Sequence, residues 1–129
     1  MSKGRYVLDA SALLCFLFVE TGEDRVAAIL AEARMSAVNL SEVVAKLIDR
    51  GVDATDVLSR LSTLPIDVIP FEREAAAVAG TMRKQTREFG LSLGDRACLA
   101  LAKSIGGIAV TTDRAWARLE IGVEVDVVR

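Results

Sequence analysis

The chain has 129 residues, of which 52% are apolar and 26% are charged, so it can form a folded domain and is not disordered. Its 16 basic and 18 acidic residues give a net charge of −2, so any nucleic acid would have to bind a local basic patch. Histidine is absent, which excludes Ser-His-Asp sites, Cys-His sites and nearly all zinc sites. A hydrolase of this composition would use carboxylates, with a hard metal ion bound by oxygen atoms.

Strands and helices alternate in the first half of the chain. Tyr6–Leu8 predicts an apolar strand that ends abruptly at Asp9. The residues that follow predict a helix at 10–20 that is apolar nearly all round, an amphipathic helix at 23–33, a short strand at 35–38, and a helix that Asn39 caps and Gly51 ends.

The second half continues the same alternation. Its predicted elements are a helix at 53–64, a strand at 66–69, a long helix at 72–89, a helix from Ser92 to about Ser104, a strand at 108–110, a short helix after Asp113 and an edge strand at 123–127. Strands that are separated by helices, without hairpin turns, predict a parallel sheet. We therefore expect one α/β domain over 1–129, with about five twisted parallel strands and helices on both faces.

Acidic residues follow the predicted strands or begin the predicted helices. They are Asp9 after the first strand, Glu42 and Asp95 in the first turns of two helices, and Asp113 after the fourth strand. In a parallel sheet these positions lie along one edge, where open α/β folds bind their ligands. Each acid alone could instead be a helix cap, because Asn39…Glu42 and Ser92…Asp95 have the spacing of capping boxes.

Four carboxylates at one edge would repel each other. At ~4 Å separation each pair costs roughly 4 kcal/mol at an effective dielectric constant near 20. Such a cluster persists when some members are protonated or when a cation neutralises it. Oxygen ligands suit Mg²⁺ or Mn²⁺, and a metal held in this way activates water for attack on a phosphodiester.

Four segments of the chain together resemble the PIN domain family, and most of all the toxin ribonucleases of VapBC-type toxin–antitoxin systems. They occur in the family's order and with similar spacing at Tyr6–Leu13, Ser36–Val43, Leu91–Ala97 and Thr111–Trp116. The resemblance implies a Mg²⁺- or Mn²⁺-dependent endoribonuclease that acts as the toxin of such a pair. It also implies a homodimer, a small VapB-type antitoxin that inserts a segment near the site, and a higher-order complex with it.

The resemblance also assigns roles to single residues. It implies that Asp9 and Asp95 are the main metal ligands, with Glu42 and Asp113 acting directly or through water. The family's hydroxyl residue after the first acid matches Ser11, and its Thr-x-Asp motif matches Thr111 and Asp113.

Basic residues near these motifs are candidates for contact with RNA, although each is also explained as part of a solvated surface. They are Arg83, Lys84 and Arg87 in a dense cluster, and Arg96 and Arg114 beside two of the acids, where these two could instead steady a carboxylate. Trp116 is expected to pack in the core rather than to stack on a base. The apolar runs at 10–20 and 40–48 predict a dimer interface.

Two further expectations concern the environment of the protein. Cys15 and Cys98 are far apart and lack metal-ligand spacing, which indicates buried, reduced thiols in a cytoplasmic protein. Asp9 interrupts the apolar run that could otherwise resemble a signal peptide, and no apolar run is long enough to span a membrane.

Two alternatives to a nuclease are a receiver-like signalling domain and a PIN-like domain that only binds a partner. A receiver would carry paired acids after its first strand, an Asp directly after a central strand and a late lysine. Asp9 instead stands alone, no Asp directly follows the strand at 66–69, and Lys103 is the last lysine.

Overall fold

A five-stranded sheet lies at the centre of the structure, a computed structural model that describes residues 4–129. The strands are β1 Tyr6–Leu8, β2 Ala33–Ser36, β3 Asp67–Ile69, β4 Ile108–Thr111 and β5 Glu124–Val127. Their spatial order is β3-β2-β1-β4-β5, and every neighbouring pair is parallel. The predicted α/β class and parallel sheet are confirmed.

Helices connect the strands and cover both faces of the sheet. The α-helices are α1 Ala10–Leu17, α2 Glu23–Ile29, α3 Ala37–Asp49, α4 Ala54–Ser62, α5 Arg73–Thr81, α6 Arg83–Thr86 and α7 Leu93–Ile105. Short 3₁₀ turns occupy Leu30–Glu32, Arg87–Phe89 and Arg114–Arg118.

The alternation of side chains along the strands divides the core into two parts. Leu8 belongs to the cluster on one face, where α1 to α4 pack, whereas Val7 belongs to the cluster on the other face, with α5 and α7. Trp116 packs in this second cluster and is almost fully buried, which confirms its predicted place in the core.

The sheet order creates a switch point at the end of β1. The chain passes from β1 to β2 on one side and later from β3 back to β4 on the other side, so β1 and β4 are neighbours. In open α/β sheets the crevice at the carboxyl ends of such strands is the usual ligand site. Asp9 follows β1 there, and its backbone N–H donates to Val110 O at 3.0 Å.

The second strand and the third helix begin two or more residues earlier than predicted. β2 ends at Ser36, whose hydroxyl accepts from Val38 N at 3.2 Å and caps α3. The prediction that Asn39 caps this helix is therefore wrong, because Asn39 lies inside the helix and is buried. Glu42 consequently lies beyond the first turn of α3.

The first predicted helix is shorter in the structure. α1 ends at Leu17, before the predicted limit of residue 20, and Val19 adopts a left-handed φ of 53°. Asp9 caps this helix by accepting from Ala12 N, which is one of the two roles that the sequence left open for it.

The long helix predicted at 72–89 is divided into α5, α6 and a 3₁₀ turn. The hydroxyls of Thr81 and Thr86 bond to the carbonyl oxygens of Val78 and Met82, one turn earlier. Such bonds compete with the regular helical ladder and bend helices. Within residues 4–129, no helix is both long enough and apolar enough to cross a bilayer.

Candidate active site

Asp9 is the most deeply placed acid of the site, with 4% of its surface exposed. Its carboxylate accepts hydrogen bonds from Ser11 Oγ at 2.7 Å, from Ala12 N at 2.8 Å and from Thr111 Oγ1 at 2.6 Å. Two of these donors lie in the first turn of α1 and the third lies at the end of β4. They fix the side chain in one orientation at the carboxyl edge of the sheet.

Burial controls the charge state of Asp9. Desolvation, with a smaller contribution from the charge of Asp95, raises the pKa of its carboxyl from 3.8 to about 6 against the lowering effect of its hydrogen bonds. Asp9 is therefore mainly ionised at pH 7. A buried carboxylate that stays charged at neutral pH favours a neighbouring cation.

Glu42 is held against the start of α7 by an amide. Asn39 Nδ2 donates to Glu42 Oε1 and to Gly94 O, both at 2.9 Å, and so joins α3 to α7. A Cβ atom at position 94 would collide with the Glu42 carboxylate, so glycine is required for this close approach. Neither Asn39 nor Gly94 was predicted to take part in the site.

Asp95 forms the predicted capping box at the start of α7. Its carboxylate accepts from Ser92 N at 3.0 Å, while its own N–H donates to Ser92 Oγ at 3.1 Å. Asp95 is half-buried, and its charge also reaches Asp9. The capping role and a role in the site are therefore compatible.

Three of the acids lie close enough to one buried thiol for their charges to act on it. Burial raises the pKa of Cys98 well above 9.0, and the charges of Asp9, Asp95 and Glu42 raise it further. Cys98 is on α7 and donates to Val7 O of β1 at 3.8 Å. Both cysteines are free and buried, as predicted.

Asp113 is connected to this group through Thr111. Asp113 N donates to Thr111 Oγ1 at 3.1 Å, and the same hydroxyl donates to Asp9. The Asp113 carboxylate itself accepts from Ala115 N at 3.0 Å and is exposed, so it caps its own 3₁₀ turn. Its carboxylate is therefore the most peripheral of the four.

No cation within residues 4–129 forms an ion pair with the four acids. Within residues 4–129 the two salt bridges join Arg25 to Asp126 and Arg129 to Glu20, and neither involves the site. In the same region, no three acidic or cysteine side chains are arranged closely enough to form a complete metal-ligand set. The reason is visible in the local bonds of Glu42, Asp95 and Asp113, each of which turns toward a nearby N–H donor. The side-chain donor atoms of the four acids are all oxygens, the ligand type that Mg²⁺ and Mn²⁺ prefer.

The basic residues suggested by the sequence donate no hydrogen bond to the four acids within the described part of the chain. Arg96 Nη1 donates to Ala79 O at 3.1 Å, so it links α7 to α5 and does not steady a carboxylate. Arg83, Lys84, Arg87 and Arg114 are exposed.

The fold and these acids together define an α/β domain with an oxygen-only acidic site at the carboxyl edge of a parallel sheet. The sequence profile of the PIN domain matches residues 6–122, and the chain belongs to the PIN domain family. No match was found among curated proteins by comparison of the sequence.

Solved structures share the fold over nearly the whole chain. A DNA-bound VapBC from Salmonella typhimurium is 18% identical, with a TM-score of 0.72 and 98% of each chain covered. VapC20 from Mycobacterium tuberculosis, a toxin that cleaves the sarcin-ricin loop, is 19% identical, with a TM-score of 0.70 and coverage of 92% of this chain and 98% of that chain. A VapBC2 from Rickettsia felis bound to a promoter DNA fragment is 15% identical, with a TM-score of 0.70 and coverage of 94% and 96%.

Proposed function

We propose that this protein is a divalent-metal-dependent endoribonuclease and the toxin of a toxin–antitoxin pair. The observation that carries the proposal is the buried Asp9 carboxylate, which three donors orient, on which the charge of Asp95 acts, and which forms no ion pair within residues 4–129. A helix cap requires only one of these donors. The remaining two bonds fix the orientation of the carboxylate beyond what a cap needs.

Asp9 and Asp95 would hold the metal, with Glu42 and Asp113 acting directly or through water. A bound Mg²⁺ or Mn²⁺ would supply an activated water and neutralise the charge that develops on the phosphodiester. The carboxylates would exchange their local N–H partners for this stronger interaction with a cation. The bonds of Asp95 and Asp113 are to exposed or half-buried groups and are readily exchanged, whereas release of Glu42 leaves the buried Asn39 amide with Gly94 O as its remaining acceptor.

The residues around Asp9 prepare it for this role. The hydroxyls of Ser11 and Thr111 donate to different oxygens of its carboxylate, and Ser11 Oγ also accepts from Thr112 N at 3.1 Å. These bonds lower the pKa of Asp9 against the effect of burial. They favour the ionised form of Asp9 at neutral pH and fix its orientation. A carboxyl group must be ionised to bind a metal.

Three kinds of partner follow from the proposal. The substrate is RNA in the cytoplasm, as supported by the structural similarity to VapC20, which cleaves the sarcin-ricin loop. A VapB-type antitoxin is supported by the VapBC complexes among the structural neighbours. A homodimer is supported by the apolar side chains that stay exposed after the predicted apolar runs fold, including Val19 at 75% and Ile48 at 43%.

Cleavage of RNA by the purified chain tests the proposal. We expect cleavage with Mg²⁺ or Mn²⁺, loss of cleavage with EDTA, and loss of nearly all activity in Asp9→Asn and Asp95→Asn. Asp53→Asn is the matched control, because Asp53 also caps a helix, accepting from Thr55 N at 3.2 Å, but lies outside the site. Equal cleavage by all three variants and the wild type would refute the mechanism, and binding of Mn²⁺ without cleavage would favour a domain that only binds.

A further inference from the structure

A basic pocket opens beside the acidic site. It has a volume of about 250 Å³ and lies between α1, α3 and the last residue of the chain. Its lining residues are Ser11, Leu14, Phe18, Glu20, Lys46, Arg50, Thr112 and Arg129. Ser11 donates to Asp9, and Thr112 N donates to Ser11, so two residues that line the pocket also hold the acidic site in place.

The helix that carries Glu42 also carries two of the basic residues. Glu42, Lys46 and Arg50 are spaced by four residues along α3 and its C-cap, which places them on one face of the helix. Each step of four residues advances ~6 Å along the axis. A single helix face therefore leads from the acidic site into the basic pocket.

Two of the cations are free to bind a ligand. Within residues 4–129, Lys46 has neither a hydrogen bond nor an ion pair through its side chain. The Arg50 guanidinium stacks over the Phe18 ring, 4.4 Å from its centroid, and no carboxylate pairs with it in that region. The stacking restrains the guanidinium while its N–H groups remain available.

The charge of the pocket contrasts with that of the whole protein. Lys46, Arg50 and Arg129 oppose a single acid, Glu20, which pairs with Arg129 at 2.9 Å. Lys46 and Arg50 thus contribute two uncompensated positive charges in a chain whose net charge is −2. A ligand that spans both sites would meet carboxylates at one end and cations at the other.

We propose that this pocket binds a backbone phosphate of the RNA, next to the phosphodiester placed at Asp9. The assignment rests on the function proposed above, because it identifies the path of that substrate. A guanidinium and an ammonium are suited to phosphate oxygens, and the apolar Leu14 and Phe18 offer a surface to the adjoining sugar or base. An RNA strand is favoured over an acidic peptide because the pocket is continuous with Ser11 and Thr112, at the site of the reacting phosphate.

Binding of RNA is measured in the Asp9→Asn background, so that the strand is not cleaved. The probe is a fluorescein-labelled single-stranded RNA of 12 nucleotides with mixed sequence, titrated by anisotropy at several salt concentrations. The test variant is Lys46→Gln/Arg50→Gln. The control is Arg60→Gln/Lys103→Gln, which removes the same charges from exposed positions outside the pocket.

We expect the test variant to weaken binding by about tenfold or more, which is the low end for the removal of one charge-assisted hydrogen bond. The slope of log K against log salt should fall by ~0.7 for each phosphate that the variant no longer binds. The control should keep both the RNA affinity and most of the salt slope. A protein that carries Lys46→Gln and Arg50→Gln but keeps Asp9 should bind Mn²⁺ with the affinity of the wild type.

The outcomes separate this inference from the proposed function. Unchanged RNA affinity and salt slope in the test variant would overturn the pocket assignment while leaving cleavage by the wild type intact. Failure of the wild type to cleave any RNA would refute the proposed function instead. If an acidic decaglutamate peptide binds the wild type, loses affinity in the test variant, and RNA binding is unaffected, the pocket belongs to a protein partner and the inference is wrong.

Discussion

The hydroxyl of Thr111 lies 2.6 Å from Asp9 Oδ2 and donates to it, joining the end of β4 to the end of β1 across the switch point of the sheet. The same hydroxyl oxygen accepts from Asp113 N at 3.1 Å. One buried side chain thus sets the position of two acids that are 104 residues apart in the sequence. The Thr-x-Asp spacing has a direct structural explanation in this pair of bonds.

Replacing Thr111 by valine should damage the site more than the removal of a single hydrogen bond would. The variant leaves Asp9 with its Ser11 and Ala12 donors alone and Asp113 N without its Thr111 acceptor, and the lost bond to the buried Asp9 charge should by itself cost about 1.5–3 kcal/mol. It should also raise the pKa of Asp9 further, because that bond lowers it. Cleavage across pH should shift to higher pH in Thr111→Val, whereas Thr111→Ser, which keeps the hydroxyl, should retain the wild-type profile.

The charge of Asp9 should destabilise the metal-free protein at neutral pH. Its pKa is 3.8 when unfolded and about 6 when folded, so the folded state binds more protons between these values and stability falls as pH rises through this window. The loss amounts to roughly 3 kcal/mol at most. Asp9→Asn lacks this penalty, so in EDTA its free energy of unfolding should exceed that of the wild type by more at pH 7.5 than at pH 4. Urea denaturation at both pH values measures the difference, and a constant gap would contradict the burial argument.

Metal affinity should depend on the same carboxyl group. A proton on Asp9 competes with a cation, so the affinity for Mn²⁺ should fall below pH 6 by up to about tenfold per pH unit. Calorimetric titration between pH 5 and pH 8 tests this dependence. Removing the metal with EDTA should lower the melting temperature more at pH 8 than at pH 5. The metal stabilises the folded protein only to the extent that it is bound, and less of it is bound at pH 5. Asp53→Asn should behave like the wild type in both measurements.

Gly94 offers a test of the contact between α3 and α7. Gly94 is the second residue of α7, and a Cβ there would overlap the Glu42 carboxylate, which can move aside only by giving up its hydrogen bond from Asn39. Gly94→Ala should therefore be less favourable in the wild type than in a Glu42→Ala background, where no carboxylate has to move. A double-mutant cycle by thermal denaturation gives the coupling between the two sites. Additive effects would mean that the two residues do not touch.

The acids were predictable from the sequence because their positions depend on local patterns. An apolar strand followed at once by Asp9, and a helix start at Ser92 with Asp95 three residues later, are signals that need no tertiary information. The parallel sheet then determines that such positions share an edge. Sequence reasoning thus identified the four candidate acids and the class of fold.

Other parts of the site depend on contacts between distant elements. Asn39 has the sequence signature of a helix cap, but pairing of β2 with both neighbours ends the strand at Ser36 and moves Asn39 into the helix. There it bonds to Gly94 O, 55 residues later. The basic pocket was also missed, since Arg129 reaches it only in the folded chain. The spacing of Lys46 and Arg50 after Glu42 was the signal that could have indicated it.

The thiol of Cys98 has a practical consequence because it lies between α7 and β1, beneath the acids. Burial keeps its pKa well above 9.0, so it should resist alkylating reagents as long as the helix remains seated on the sheet. In a Cys15→Ala background, the labelling rate of this remaining thiol would report how often the structure beside the acidic site opens. Slower alkylation of Cys98 in the presence of Mn²⁺ would show that a cation bound at the acidic site makes local opening between α7 and β1 less frequent.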